Sequence, residues 1–226
     1  MKKNKITIIT FIIISFIPFT FAHFPYYIDH KTSISNPIFI DNIHRSQVWY
    51  FQQNTPNSNI WLKFTVNTSD QLFIQLGVPQ HKKFINYNPI LEIYYQNNTL
   101  NQPQKQVSYT TNFLKPSTSC TSNPETAVPC LFYEPFTNTY SWILVEKHLP
   151  LTPGNYYIQG LSPNQGTMWI AVGEIEDFSG NQLPNLIFTT NQIKNAHGNN
   201  NYLLLFLIII VILSILLITY KYKITK

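Results

Sequence analysis

The sequence predicts an all-β fold, an antiparallel β-sandwich of the jelly-roll-like kind, followed by one C-terminal transmembrane helix. Three observations support this fold class. Short segments between His23 and Gly180 alternate apolar and polar residues with a period of two, as half-buried strands do. Proline, asparagine and glycine separate these segments, as they do in turns. A long apolar run lies near the C-terminus.

The alternating segments predict the strands of the sandwich. In residues 60–66 every second residue from Ile60 onward is apolar, and residues 71–76 repeat the pattern from Leu72. Each such strand has one apolar face that a second sheet can cover. The other predicted strands are residues 48–52, 90–95, 131–133, 141–146, 156–159 and 167–172. No segment outside the two ends of the chain has the apolar stripe of a helix.

Residues 1–22 have the features of a secretory signal peptide. Three lysines lie within the first five residues, residues 6–17 form an apolar core, and Ala22 ends the segment. We expect cleavage after Ala22, which leaves His23 at the mature N-terminus. The alternative is an uncleaved signal anchor.

Residues 202–220 are predicted to form a membrane-spanning helix. Between Leu203 and Thr219 only Ser214 interrupts the apolar residues, and a tyrosine flanks each side, as at a membrane interface. The tail, residues 221–226, carries three lysines, which places it in the cytoplasm and predicts type I topology. A GPI signal is the alternative, although such signals normally lack a basic tail. Plasma membrane and endomembrane both fit.

The remaining chain divides into two parts. Residues 23–180 form the predicted β-sandwich ectodomain. Residues 181–201 contain a proline and several asparagines, and we expect them to be a polar stalk that separates the ectodomain from the bilayer.

The charge of the chain does not indicate a nucleic-acid partner. The formal net charge is +5, but the two ends supply the excess, and nine basic residues stand against ten acidic ones between His23 and Asn201. Binding to nucleic acid requires clustered lysine and arginine, which this part of the sequence lacks. We therefore exclude nucleic acid as a partner.

Two covalent features are predicted for the ectodomain. Cys120 and Cys130 are the two cysteines of a secreted domain, and we expect them to form a disulfide. A redox pair is the alternative, but the spacing is not Cys-x-x-Cys. Asn67 and Asn97 begin sequons for N-linked glycosylation, and we expect both in exposed turns.

Three motifs carry a resemblance. Residues 132–136 contain Tyr-Glu-Pro-Phe, residues 151–160 contain Pro-Gly-Asn-Tyr-Tyr, and residues 169–178 contain Ala-Val-Gly-Glu. Together they resemble an uncharacterised family of secreted or membrane-tethered β-sandwich proteins. Residues 48–51, ahead of the strands at 60–76, are similar to the opening strands of bacterial pre-peptidase C-terminal domains. The resemblance implies a non-enzymatic accessory or surface module and assigns no catalytic residue.

His23 is a candidate copper ligand. At a mature N-terminus its α-amine and imidazole can chelate copper together, as in the histidine-brace sites of copper-dependent polysaccharide monooxygenases. A brace needs a second imidazole, for which the candidates are His44, His81 and His148. The alternative is an ordinary terminal histidine before the turn-forming Pro25.

Calcium is a second metal to consider. The oxygen ligands would come from Glu134, Glu174, Glu176 and Asp177. These carboxylates lack the dense Asp/Asn/Gly loop that calcium sites usually have. A structural role for the surrounding motifs is the alternative.

The sequence predicts a binding protein and not an enzyme. It contains no Gly-x-Ser-x-Gly, no His-Glu-x-x-His and no Gly-rich phosphate loop. We expect a type I single-pass membrane protein whose ectodomain binds a protein or glycan partner or serves as a structural accessory; a copper-binding ectodomain using His23 is the alternative. Aromatic side chains suited to such binding, each with core packing as the alternative, are Tyr94, Tyr95, Tyr156 and Trp169.

Overall fold

The computed structural model describes residues 23–97, 99–111, 120, 129–134, 137, 139–177, 183–198 and 210–215. The predicted signal peptide, the cytoplasmic tail and most of the predicted transmembrane segment therefore lie outside the described residues. Within the described ranges, none of the helices combines the length and the apolar character that a bilayer span requires.

The described residues form two β-sheets that pack face to face. The strands are β1 (Phe24–Ile28), β2 (Ile38–Phe39), β3 (Gln47–Gln53), β4 (Asn59–Val66), β5 (Asp70–Pro79), β6 (Ile90–Gln96), β7 (Gln104–Thr110), β8 (Cys130–Glu134), β9 (Thr139–Leu151), β10 (Gly154–Leu161) and β11 (Gly166–Val172). The six-stranded sheet has the order β1-β3-β11-β5-β9-β8, and the five-stranded sheet has the order β2-β4-β10-β6-β7. The predicted all-β sandwich is confirmed.

The sandwich is not wholly antiparallel, and here the prediction is wrong. β1 pairs with β3 and β2 pairs with β4 in parallel, whereas the other neighbouring strands are antiparallel. β2 lies in the opposite sheet from β1 and β3, so a crossover rather than a hairpin joins those two strands. A crossover permits parallel pairing. The same argument applies to β2 and β4, since β3 lies between them in sequence.

The core lies between the two sheets and confirms the predicted alternation. β4 contributes Ile60, Leu62 and Phe64, and β5 contributes Leu72 and Ile74; all five side chains are fully buried. Each large apolar side chain buried in this way stabilises the fold by about 1.5 to 3 kcal/mol. The alternation in sequence therefore reports which face of each strand meets the other sheet.

The outer face of the six-stranded sheet is also covered, by helix α1 (Leu183–His197). Ile193 of this helix is fully buried and packs with Val48, Tyr50 and Trp169 of the sheet. Residues 181–201 were expected to form a polar stalk, and over residues 183–197 this expectation is wrong. The buried face of the helix alternates apolar and polar residues, including Thr190, so that it lacks a recognisable apolar stripe.

The C-terminal end of α1 is held against the sandwich. The Lys83 side chain donates a hydrogen bond to the Ala196 carbonyl at 2.9 Å, where a cation also compensates the negative end of the helix dipole. The buried His197 ring lies 5.3 Å from the ring of Tyr50. Gly198 follows with φ +82°, a left-handed conformation typical of the residue that ends a helix. The chain thus leaves the sandwich from a fixed point.

The disulfide and the two sequons have defined positions. Cys120 and Cys130 are joined, which confirms the predicted disulfide, and both contact the cluster beneath α1. Asn67 is exposed in the turn between β4 and β5. Asn97 directly follows β6, and its side-chain oxygen accepts hydrogen bonds from the Thr99 amide at 3.0 Å and hydroxyl at 2.7 Å. Glycosylation of the two asparagines stays a prediction.

The sandwich has two ends, which we name after the first and last residues of β5. The Asp70 end contains the start of β3, the end of β11 and the turn between β9 and β10. The Pro79 end contains the end of β3, the start of β11 and the start of β9. Since β5 has ten residues, the two ends are roughly 30 Å apart.

We expect the substitution Ile193→Ala to destabilise the fold by about 2 to 4 kcal/mol, because it removes a fully buried side chain beneath α1. The matched control on the same helix is Phe188→Ala, whose side chain is 67% exposed and whose loss should change stability by less than about 0.5 kcal/mol. Urea unfolding of the full-length chain in detergent micelles measures both. Equal, small effects would show that α1 does not stabilise the sandwich.

Candidate functional site

An open pocket of about 300 Å³ lies at the Asp70 end. Imidazoles, carboxylates and apolar side chains surround it. The lining residues are Ile43, His44, Asp70, Gln71, Phe73, His148, Gly173, Glu174 and Ile175. A concave site that combines polar groups with apolar walls has the composition of a ligand pocket.

Backbone hydrogen bonds hold the two loops of the pocket together. The amides of Glu174 and Ile175 both donate to the His44 carbonyl, at 3.0 and 2.8 Å. Gly173 makes this approach possible: its φ is +78°, and a Cβ at this position would lie 2.4 Å from the Arg45 carbonyl oxygen. The Gly in the Ala-Val-Gly-Glu motif therefore positions the carboxylate of the following residue beside the pocket.

Each imidazole in the pocket is paired with a carboxylate. His44 Nε2 lies 3.0 Å from an oxygen of Asp70, and His148 Nε2 lies 3.3 Å from an oxygen of Glu174. The Phe73 ring contacts the His148 ring at a centroid distance of 4.9 Å. The pocket thus offers hydrogen-bonding groups next to an aromatic surface.

Carboxylates dominate the charge around the pocket. Five acidic residues lie in or near the loops of the pocket, and the neighbouring Arg45 is bonded to one of these acids at 2.6 Å. That hydrogen bond lowers the pKa of Asp41, so its charge persists in mild acid. A concave surface of one charge sign concentrates ligands of the opposite sign. The acidic residues are Asp41, Asp70, Glu174, Glu176 and Asp177.

The structure separates the histidines proposed as copper ligands. His44 and His148 line the pocket at the Asp70 end, whereas His81 lies at the Pro79 end beside Gly198. His23 lines a different cavity, of about 10 Å³, on the outer face of the six-stranded sheet. In the described part of the chain, no three His, Cys, Asp or Glu side chains are arranged to hold a metal ion.

His23 is partly buried beside both apolar and polar side chains. Its Nδ1 is hydrogen-bonded to the Ser46 hydroxyl, and burial lowers the pKa of its imidazole to about 4. A cavity of this size has room for about one water molecule. Copper binding by His23 stays a prediction.

The calcium candidates are likewise not gathered into one site. Glu174, Glu176 and Asp177 follow β11 at the Asp70 end. Glu134 is buried at the end of β8, where it pairs in register with Thr139 at the Pro79 end.

Most of the aromatic candidates serve the fold. Trp169 is buried under α1, and Tyr156 stacks on a core phenylalanine at 5.3 Å. The hydroxyl groups of Tyr94 and Tyr95 donate to Glu92 and to the Pro153 carbonyl at 2.6 and 2.9 Å.

One exposed aromatic pair was not predicted from the sequence. The rings of Tyr133 and Tyr140 are 5.0 Å apart across β8 and β9. Both side chains are exposed. Tyr133 begins the Tyr-Glu-Pro-Phe segment and Tyr140 follows it, so both were visible in the sequence, but their exposure depends on the position of β8 at a sheet edge.

Comparison with known proteins gives a distant structural likeness. No family model and no curated protein matches the sequence. Two solved structures are similar at 10% identity. The pre-peptidase C-terminal domain of collagenase from Bacillus anthracis covers 68% of this chain and 97% of its own length, with a TM-score of 0.28. CorA, a surface-associated copper-binding protein of Methylomicrobium album BG8, covers 66% of this chain and 100% of its own, with a TM-score of 0.29.

These similarities are distant, with both TM-scores below 0.3. The predicted resemblance to pre-peptidase C-terminal domains has a distant counterpart among solved structures. The resemblance to a family defined by the Tyr-Glu-Pro-Phe box has no matching family model. Neither solved structure bears on the ligand of this chain.

We expect the fold to lose stability as the pH falls below about 6.5. Burial lowers the folded-state pKa of His23 to about 4 and of His197 to about 3, whereas the unfolded imidazoles titrate near 6.5. The stability that depends on these two histidines is fully present above the pKa of the unfolded imidazoles, because both imidazoles are then neutral in the folded and in the unfolded state. Below it the unfolded chain binds protons that the folded chain does not, so each histidine removes about 1.4 kcal/mol per pH unit until its folded pKa is reached.

Urea unfolding of the full-length chain in micelles at a series of pH values measures this loss. The variant His23→Gln should show a smaller pH dependence than the wild type. The control is His30→Gln, which replaces an exposed histidine and should retain the wild-type slope. Identical slopes for His23→Gln and the wild type would contradict the expectation.

Proposed function

We propose that this chain is a non-catalytic, single-pass type I membrane protein whose β-sandwich binds a protein or glycan partner on the extracytoplasmic side. The observation that carries the proposal is the acidic, imidazole-lined pocket at the Asp70 end. The pocket is open to solvent, and it is built from loops that a rigid sandwich holds in place, which is the usual arrangement of a binding site.

The groups in the pocket favour binding over catalysis. Two imidazoles beside carboxylates resemble the orienting pair of a general base, but a nucleophile must lie within reach of such a pair. The lining residues include no serine, threonine, cysteine or lysine. The pocket therefore supports recognition of a ligand by charge and hydrogen bonds.

Charge complementarity favours a basic segment of a protein partner over an acidic glycan. A lysine or arginine side chain can place its cationic group near Asp70 and Glu174 while its aliphatic stem contacts apolar surface. Phe73 and Ile175 supply that surface in the pocket, and the Ile175 side chain is 62% exposed. An anionic sugar would instead meet repulsion from the surrounding carboxylates.

The C-terminal residues support the membrane anchor. Residues 210–215 are helical, and their apolar side chains are exposed around the helix. A helix that is apolar on all sides belongs in a protein core or in lipid. Plasma membrane and endomembrane are both compatible with such an anchor.

The test is binding of a fluorescein-labelled hexalysine peptide to the full-length protein in lipid nanodiscs, measured by anisotropy. The double variant Asp70→Asn/Glu174→Gln should weaken binding at least tenfold, about 1.4 kcal/mol, because both carboxylates of the pocket lose their charge. The control Asp29→Asn removes an exposed carboxylate at the Pro79 end and should bind as the wild type does.

A sulfated hexasaccharide and a neutral oligosaccharide complete the experiment. Hexalysine binding that is unaffected in the double variant would contradict the proposed site, as would tighter binding of the sulfated sugar. Binding of the neutral oligosaccharide that is lost in the double variant would keep the site and assign it to a glycan.

A further inference from the structure

The Pro79 end of the sandwich presents a rigid loop between β5 and β6. The loop contains a 3-10 turn, Lys82–Phe84. Phe84 and Tyr87 are buried beneath it, and the Tyr87 hydroxyl donates to Gln53 at 2.8 Å. With these two rings anchored, Lys82 and Ile85 are left on the outside, and the Ile85 side chain is 42% exposed.

Helix α1 brings the chain to this loop. Its last residues contact the Pro79 end, through the hydrogen bond from Lys83 to the Ala196 carbonyl and the contact of His197 with Thr139 at 3.2 Å. Gly198 lies directly beside the His81 ring, which an added Cβ would approach to 3.1 Å. The chain therefore departs toward its C-terminus next to the loop that carries Lys82 and Ile85.

The length of chain after this point limits the distance to the membrane. Residues 199–201 connect Gly198 to Tyr202, where the predicted membrane-spanning segment begins. Four Cα-to-Cα steps span at most roughly 14 Å. The pocket lies farther away by the length of β5, roughly 30 Å. The Pro79 end is thus the end that reaches the bilayer.

The charges of the two ends fit this orientation. Lys31, Lys82 and Lys83 lie at the Pro79 end against the exposed Asp29, whereas the carboxylates around the pocket lie at the Asp70 end. Lysines near a bilayer are attracted by lipid phosphates, and apolar or tyrosine side chains enter the interface. Ile85 and Tyr140 are exposed side chains of that kind, and the Tyr140 carbonyl accepts a hydrogen bond from Gln80 at the base of the loop.

Both glycosylation sequons lie at the opposite end. Asn67 is in the turn between β4 and β5, and Asn97 follows Gln96, which pairs with Asn155 at the start of β10. Glycans at these positions would stand clear of the bilayer. The Pro79 end, as far as it is described, would stay free to approach lipid.

We propose that the loop His81–Ile85 docks on the lipid headgroups of the membrane that anchors the chain, with Lys82 on headgroup phosphates and Ile85 in the interface. The inference rests on the membrane anchor of the proposed function. With the loop docked, the binding pocket faces away from the bilayer, because helix α1 fixes the sandwich relative to the point where the chain leaves the sandwich.

The test uses the full-length chain in vesicles of phosphatidylcholine with a minority of phosphatidylserine and a headgroup-nitroxide lipid. Since both native cysteines form the disulfide, single cysteines can be labelled with a fluorophore. The matched pair is Ile85→Cys at the Pro79 end and Ile175→Cys at the Asp70 end. We expect the nitroxide to quench the label at position 85 and to leave the label at position 175 unquenched.

Vesicle flotation separates the docking from the anchor. A chain that does not float with the vesicles refutes the anchor and the docking with it. A chain that floats with an unquenched label at position 85, or with equal quenching at both positions, refutes the docking and leaves the anchor standing.

Lys82→Glu tests the role of charge in the floating chain. Because each lysine at a charged bilayer surface shifts binding about fivefold, the variant should lower the ratio of docked to undocked sandwich by at least about fivefold. The quenching of the Ile85→Cys label reports this ratio. The control Lys105→Glu lies on β7, away from the loop, and should leave the quenching unchanged. Equal quenching with and without Lys82→Glu refutes the contact between Lys82 and lipid.

Discussion

The structure depends on the burial of the six-stranded sheet on both of its faces. The five-stranded sheet covers one face, and helix α1 packs against part of the other. A sheet with two apolar faces cannot be left open on one side without exposing a large apolar surface to water. The helix is therefore part of the folded domain, and its position determines where the chain leaves it.

The outer face of this sheet combines apolar packing with buried polar groups. Gln75 donates a hydrogen bond to Glu146 at 2.6 Å across β5 and β9. Burial, with the nearby Glu134 carboxylate, raises the pKa of Tyr50, which keeps its hydroxyl neutral. Burying a polar group costs little folding free energy when the group is hydrogen-bonded and much more when it has no partner. Because these buried polar groups are paired, a chain rich in polar residues and proline can still pack a layer against each face of the six-stranded sheet.

The sequence is informative about the sandwich wherever a strand has one buried face. The alternation in β4 and β5 follows directly from the period of two, since the other sheet covers only one side. The strands that it does not reveal, β1, β2 and β7, are edge strands: β1 has no alternation, β2 has only two residues, and β7 is mostly polar. Helix α1 is not predicted from the sequence for a related reason. Thr190 and His197 occupy buried positions and interrupt the helical period of apolar residues.

The candidate site is less accessible to sequence reasoning. His44, Asp70, His148 and Glu174 come from four separate parts of the chain, and no spacing links them. These four side chains line one pocket because of the register of β5 with β9 and the positive φ of Gly173. The predicted role of His23 depended on its place in the chain alone, whereas its surroundings in three dimensions set its chemistry.

The edges of the two sheets have a consequence for molecules crowded side by side on a surface. An exposed edge strand with free backbone groups is a template for pairing with a neighbouring copy. Here β2 has only two residues, β1 contains Pro25, and β7 carries the polar run from Gln104 to Gln106. These three of the four edge strands therefore discourage strand addition between neighbouring copies.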